Sequence, residues 1–293
     1  MSALINLHKR LSNYSFYRNT RHRLSLTGLR KPLAWNRHRG FRPDDVFMDC
    51  YPRSGSTWLR FMLAEIISGE PSVNFQRVNR LITGPGLHRN APPLFPDGSR
   101  LLHSHEKYRK EYNTKAMYLA RDARDVMISE HAYQCALGWF EGELDAYIMP
   151  FLTGEVNAFG PWQEHARSWL DSPLAQRGNL LIIRFEELRK NSEETLRKIL
   201  DFYGFPADAN VIRKAIANNA LDKMKEKEKK DPQRASKRGR FVRSGSVGGW
   251  RNVLTPAQVK LVEKYAGDSL RRLGYSVGET EQVGVPVASA SFT

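Results

Sequence analysis

Apolar and polar positions follow their clearest pattern over Asp44 to Glu65, DDVFMDCYPRSGSTWLRFMLAE. Val46, Met48 and Cys50 alternate with Phe47 and Tyr51, the period-2 signature of a strand covered on both faces. The alternation stops at Pro52-Arg53-Ser54-Gly55-Ser56-Thr57, a short polar turn. Beyond it Trp58, Phe61, Met62 and Ile66 fall on one face of a helix. Strand, tight turn, helix is the arrangement in which loop amides and a helix N-terminus converge on an anion. Arg53, Ser54, Ser56 and Thr57 add one cation and three hydroxyls to that turn.

The remaining pattern repeats the theme. Residues 70–99 carry Pro71, Gly84-Pro85-Gly86, Pro92-Pro93, Pro96 and Gly98, which predicts loops with a short helix near 74–81. Leu101-Leu102-His103 reads as a second strand and Ala116 to Ala120 as a third, leading through Arg121-Asp122-Ala123-Arg124-Asp125 into a helix ending near Ala136. Leu180 to Arg184 reads as a further strand. The next helix is expected to be capped by Asn191, with Glu194 three residues on. The last helix has Thr255 as N-cap, Pro256 at its first position, Gln258 at its third and Gly274 as stop. Strands alternating with helices predict an α/β fold with a central parallel sheet flanked by helices and a P-loop-like phosphate-binding loop. The predicted organisation is a basic N-terminal arm over 1–43, one domain over 44–275, and a loosely held tail over 276–293.

Charge narrows the partners. The chain of 293 residues has 46 Lys+Arg against 31 Asp+Glu, a formal net charge of +15, which favours anionic ligands. The arm over 1–43 has no Asp or Glu, and Leu4, Leu7 and Leu11 fall at helical spacing. It is open to three readings: a solvated arm, a membrane-surface contact, or an organelle transit segment. Residues 223–243 read as a solvated surface loop, or as a basic flap over an anionic ligand. No apolar run approaches the ~20 residues of a membrane span. Two cysteines, Cys50 and Cys135, make no disulfide framework; both are expected in buried elements, in a reducing compartment such as the cytoplasm.

The loop excludes two phosphate chemistries. A nucleoside triphosphatase loop needs a Gly-Lys-Ser/Thr ending, which is absent here. A cysteine phosphatase needs a thiolate opening the loop and an arginine closing it, whereas Cys50 lies in the strand with Arg53 only three residues on. What remains is a loop that holds a phosphate without transferring it.

With these residues assembled, the chain resembles the 3′-phosphoadenosine 5′-phosphosulfate (PAPS)-dependent sulfotransferases. Tyr51 to Trp58 resembles their 5′-phosphosulfate loop, Tyr-Pro-Lys-Ser-Gly-Thr-Thr-Trp. Tyr118 to Ser129 resembles their 3′-phosphate segment, with Arg121 and Ser129 eight residues apart. Arg243-Ser244-Gly245-Ser246-Val247-Gly248-Gly249-Trp250-Arg251-Asn252 is similar to their Arg-Lys-Gly-x-x-Gly-Asp-Trp-Lys-Asn. The resemblance implies PAPS as sulfuryl donor and 3′-phosphoadenosine 5′-phosphate (PAP) as product. Arg53, Ser54, Gly55, Ser56 and Thr57 would hold the 5′ side; Arg121, Ser129, Arg243, Ser244 and Gly245 the 3′-phosphate; and Trp58, Phe185 and Leu221 the adenine. From periodicity alone Trp58 is equally a core aromatic. His105, in His103-Ser104-His105, matches the family's Lys-Ser-His base, and Arg53 would meet charge on the leaving oxygen. No metal is implied, and no His/Cys/Asp cluster has ligand spacing along the chain.

Several positions depart from the family pattern. Arg53 stands for lysine, His103 for lysine, Phe185 for a tyrosine, Leu221 for phenylalanine, and Ser244 and Gly249 for Lys and Asp. The family's dimer pattern survives only as Arg251, Thr255, Pro256 and Lys260, with the last charge reversed, so that dimer is not expected. The acceptor is expected to be a small molecule or carbohydrate with a hydroxyl or amine, met by loops 70–99, 137–165 and 223–243. Trp139, Phe140, Tyr147, Phe151, Phe159 and Trp162 could line its pocket, though core packing is the more frequent role of such a run. Nucleic acid is not an expected partner, since no helix-turn-helix, zinc-finger or RNA-stacking pattern is present. The rival function is a non-catalytic basic module holding nucleic acid or an acidic polymer.

Overall fold

The computed structural model describes residues 20, 22–27, 36–112, 114–231 and 245–278. The predicted helix around Leu4, Leu7 and Leu11, the segment 232–244 and the tail from 279 lie outside these residues.

Four parallel strands form the sheet: β1 (Val46–Asp49), β2 (Leu101–Ser104), β3 (Ala116–Ala120) and β4 (Leu180–Arg184), in the order β2-β1-β3-β4. The alternation along β1 does what the pattern predicts. Val46, Met48 and Cys50 join one core layer with Met117, Leu119 and Ile183, while Phe47 and Tyr51 join the opposite layer with Tyr118 and Leu102. On the first face lie α1 (Ser56–Ser68) and α2 (Phe75–Leu81). Phe61, Met62 and Ile66 of α1 are buried there, with Trp58 packed at the edge. The second face is covered by α3 (Ala123–Leu137), α4 (Leu144–Thr153) and α5 (Trp162–Leu170), followed by the short α6 (Pro173–Gln176). Tyr147, Phe151 and Trp162 are fully buried in that layer, with Phe140 and Phe159 partly buried against it, so half of the aromatic run is core.

After β4 come α7 (Phe185–Lys190), α8 (Ser192–Tyr203), α9 (Ala209–Asn218), α10 (Leu221–Lys230) and, beyond a 3-10 turn at Gly249–Asn252, α11 (Pro256–Arg272). Three expectations are corrected. Residues 223–230, read as loop, continue α10, because Met224 and Glu228 bury one side of an otherwise charged helix. Asn191 precedes α8 but its side chain caps no amide; Asn191 Nδ2 donates to Glu194 Oε2 at 3.4 Å instead. Cys135 is only half-buried, whereas Cys50 is fully buried; both are free thiols. Among the described residues no helix is long and apolar enough to cross a membrane.

The start of α11 is held as the sequence predicts. Thr255 and Gln258 form a reciprocal capping box, each side chain accepting from the other residue's backbone amide. Removing the hydroxyl in Thr255→Ala should cost about 1 kcal/mol, read as a lower urea midpoint with an unchanged m-value.

Candidate active site

The phosphate loop runs from the buried end of β1 to the first turn of α1. Two of its residues take left-handed backbone conformations, Arg53 at φ 69 and Gly55 at φ 98. Gly55 is the N-cap of α1, no side chain caps that terminus, and the first turn contains no acidic residue. The helix therefore presents its positive end without an internal counter-anion. Ser54 is buried, and its Oγ has no hydrogen-bond partner among the described residues.

Arg53 leaves the loop towards α3. Its guanidinium lies over the Tyr133 ring, 4.4 Å from the centroid, and its Nε donates to Ser129 Oγ at 3.3 Å. The loop's cation and the hydroxyl of the second motif thus meet directly. Buried Glu130, the next residue on α3, feels the Arg53 charge; burial raises its carboxyl above the usual range and Arg53 partly offsets that.

Arg121 leaves the C-terminal end of β3 and ties the three motifs together. Its Nη1 donates to the Arg53 carbonyl at 2.9 Å and its Nη2 to the Ser246 carbonyl at 3.0 Å. The guanidinium also lies 4.7 Å from the centroid of the Phe185 ring. Burial lowers the Arg121 pKa, opposed by Asp125 and Glu186, and Arg121 Nε is buried without a partner among the described residues. Asp125, one turn into α3, anchors the third motif by accepting the amides of Gly248 at 2.8 Å and Trp250 at 3.0 Å. Gly245 adopts φ 59 with its Cα side 3.9 Å from Phe185 Cζ when a Cβ is built there. Arg243 and Ser244 lie outside the described residues.

Phe185 opens α7 and packs under the loop so closely that a Cβ on Gly55 would sit 2.5 Å from Phe185 Cδ2. Trp58 meets Phe185 edge-on at 6.3 Å, Arg189 lies 5.2 Å from its centroid, and its Nε1 donates to the Asn219 carbonyl at 2.8 Å. Leu221, two residues further, begins α10 and is half-buried. Trp58 is therefore both a packing residue and an edge of the site.

His105 follows β2. The register Asp49↔Ser104 sets it beside Cys50, and His105 Nδ1 lies 2.8 Å from the Cys50 carbonyl. A carbonyl only accepts, so Nδ1 carries the proton and Nε2 carries the lone pair. Burial pushes the imidazole down to about 4, against the Cys50 carbonyl, with Arg60 and Arg53 adding to the lowering. At neutral pH the His105 ring is therefore uncharged. His103 packs edge-on against it at 4.6 Å, and Phe159 at 5.7 Å. His103 is itself driven to the neutral form, mainly by burial.

Sequence reasoning missed the buried support behind His105. His165 of α5 is fully buried, with Nε2 3.0 Å from the His105 carbonyl and Nδ1 3.1 Å from the Tyr118 hydroxyl. Asp49, also fully buried, lies 3.7 Å from His165 Nε2, and burial pushes its carboxyl well up. An acid closing an otherwise apolar strand was the available signal. The fold also overturns the spacing argument on metal ligands, since it gathers Cys50, His103 and His105 with ligand atoms within 4.8 Å of one another.

A parallel sheet with a tight polar loop after one of its inner strands, crossed by a buried arginine and flanked by a neutral histidine, is suited to hold an anion. A family model for the sulfotransferase domain matches residues 43–274, and the chain belongs to that family. Human sulfotransferase 1C2 is 27% identical over 249 residues, covering 76% of this chain and 83% of the relative. Human sulfotransferase 2B1 is 29% identical over 243 residues, covering 76% and 65%. Among solved structures, mouse sulfotransferase SULT7A1 complexed with PAP matches with TM-score 0.63 at 26% identity, covering 82% of this chain and 89% of that one. Retinol dehydratase in complex with androsterone and PAP matches with TM-score 0.66 at 20% identity, covering 85% and 87%, a likeness of fold.

The Gly55–Phe185 contact yields a direct test. Gly55→Ala places a side chain at φ 98 and against the Phe185 ring. It should destabilise the protein by about 1–3 kcal/mol from backbone strain. Paired with Phe185→Ala the loss should be less than additive, as a double-mutant cycle in chemical denaturation would show.

Proposed function

We propose that this sulfotransferase moves the sulfuryl group of PAPS to a hydroxyl or amine of a small-molecule or carbohydrate acceptor, with His105 as the base. The observation that carries this reading is Arg121, a buried cation that bridges the loop at the Arg53 carbonyl and the third motif at the Ser246 carbonyl. PAPS has two separated phosphates, so it needs two anion-holding segments brought together in this way. The buried Ser54 Oγ and Arg121 Nε, without partners among the described residues, are polar groups an anion would satisfy. In this reading Arg53, Ser54, Gly55, Ser56 and Thr57 receive the 5′-phosphosulfate. Arg121 and Ser129, with Arg243, Ser244 and Gly245, receive the 3′-phosphate; Trp58, Phe185 and Leu221 border the adenine. Phe185 offers packing there and no hydroxyl.

The acceptor oxygen attacks sulfur as His105 Nε2 takes its proton. The new O–S bond forms while the bond from sulfur to the bridging oxygen breaks, and PAP leaves. Arg53 and the loop amides meet the negative charge that grows on the bridging oxygen. Arginine there stays protonated and binds bidentately, but it cannot act as a compact point charge. The Cys50 carbonyl holds His105 in the tautomer that the step requires, and burial keeps it unprotonated.

His105→Ala should lower turnover by ~10²–10⁴-fold, measured with radiolabelled PAPS and a panel of phenols, steroid alcohols and amino sugars. PAP should still raise its stability, by ~2.7 kcal/mol at 100 times the dissociation constant. Near-normal turnover would remove His105 from the mechanism, and steep salt-dependent RNA binding without PAP stabilisation would favour a binding module. For the wild-type protein, His105 at about 4 keeps kcat/KM level from neutral pH to about pH 5. Activity then falls as pH drops through that value, because the protonated ring accepts nothing. Arg121→Ala should weaken PAP binding at least tenfold and erase the preference for PAP over AMP, read by calorimetry.

A further inference from the structure

We infer that Cys50, His103 and His105 form a binding site for a soft or borderline d-block cation such as Zn²⁺, and that its occupation switches off His105. The switching part rests on the reading of His105 as base; the binding part does not. The cluster has the three ligand types such an ion prefers, one thiol and two imidazoles, with ligand atoms within 4.8 Å of one another. Cys50 Sγ and His105 Nδ1 are already 3.3 Å apart. Neighbouring ligands on tetrahedral zinc are separated by about 3.5 Å, given its bond lengths to sulfur and nitrogen. His103 is 9% exposed, and its Nε2 is buried without a hydrogen-bond partner among the described residues. The His103 ring centroid lies 4.6 Å from that of His105, beside the Cys50 thiol, so the three donors face one small volume. His103 lies on β2, and Cys50 and His105 directly follow the paired strands β1 and β2, so the sheet fixes their spacing: Met48 pairs with His103 and Asp49 with Ser104.

The chemistry of binding explains the switch. The Cys50 thiol gives its proton to solvent and binds as thiolate. His105 binds through Nδ1, which must release its proton and its contact with the Cys50 carbonyl. That proton moves to Nε2, so the ring stays neutral and one proton is lost per ion. The nitrogen that would accept the acceptor's proton now carries one. Inhibition follows from the tautomer, whether or not the ion obstructs the cleft.

Chelator-stripped full-length protein should bind one Zn²⁺ at this site in equilibrium dialysis. Co²⁺ in its place should give the sulfur-to-cobalt charge-transfer absorption of a thiolate ligand. Cys50→Ser should abolish that absorption, His103→Ala should weaken binding at least tenfold, and Cys135→Ser should change neither. The wild-type spectrum identifies a thiolate ligand even if a variant folds poorly. Zn²⁺ should also reduce sulfation of a mixed pool of phenols and steroid alcohols by PAPS at least tenfold. Each variant, compared with its own metal-free rate, should be correspondingly less sensitive. No retained ion, or binding indifferent to both Cys50→Ser and His103→Ala, overturns the site. Binding with undiminished sulfation overturns the switch. If His105→Ala keeps its turnover while wild-type protein binds Zn²⁺ with the thiolate spectrum, the base assignment fails and the site stands.

Discussion

The guanidinium of Arg121 is the constraint on which the site depends. It is buried, it reaches the Arg53 carbonyl on one side and the Ser246 carbonyl on the other, and it is covered by Phe185. Those two carbonyls belong to segments nearly two hundred residues apart in the chain. Phe185 lies between the same two segments, facing Gly55 of the loop and Gly245 of the third motif. Asp125 completes the arrangement by accepting two amides of the third motif, so the end of β3 and the start of α3 hold both the loop and the third motif.

The conformation of the loop follows from the same packing. A positive φ at Gly55 lets the chain enter α1 sharply, and the missing side chain lets Phe185 approach its backbone. Arg53 adopts a positive φ although it is not glycine, a strained choice offset by its aromatic platform on Tyr133 and by Ser129. The turn is rigid for reasons that lie outside it, in α3 and α7.

Much of this was legible in the sequence because the signals were local. Alternation in β1 identified both core layers, the capping residues located α11, and three motifs in order named the site's segments. What escaped was set by tertiary contact. Arg53 pairs with Ser129, a residue the motif view assigned to the other phosphate, because only the fold reveals that α3 passes the loop. Asp49 and His165 stand far apart in sequence and meet only through the sheet. The helix over Leu221–Lys230 was hidden by its composition, since a run of lysines and glutamates conceals two buried positions. Cys50, His103 and His105 lack any telling spacing because strand pairing, not sequence distance, brings them together.

Burying Arg121 has a consequence for the protein's life in a cell. Its charge is held in a poorly solvated place, and burial already pulls its proton affinity down. On the reading proposed above, a phosphate beside Arg121 would offset that cost, so ligand binding and the stability of the fold would be linked through one residue. Folded protein would then resist proteolysis better with its ligand than without it.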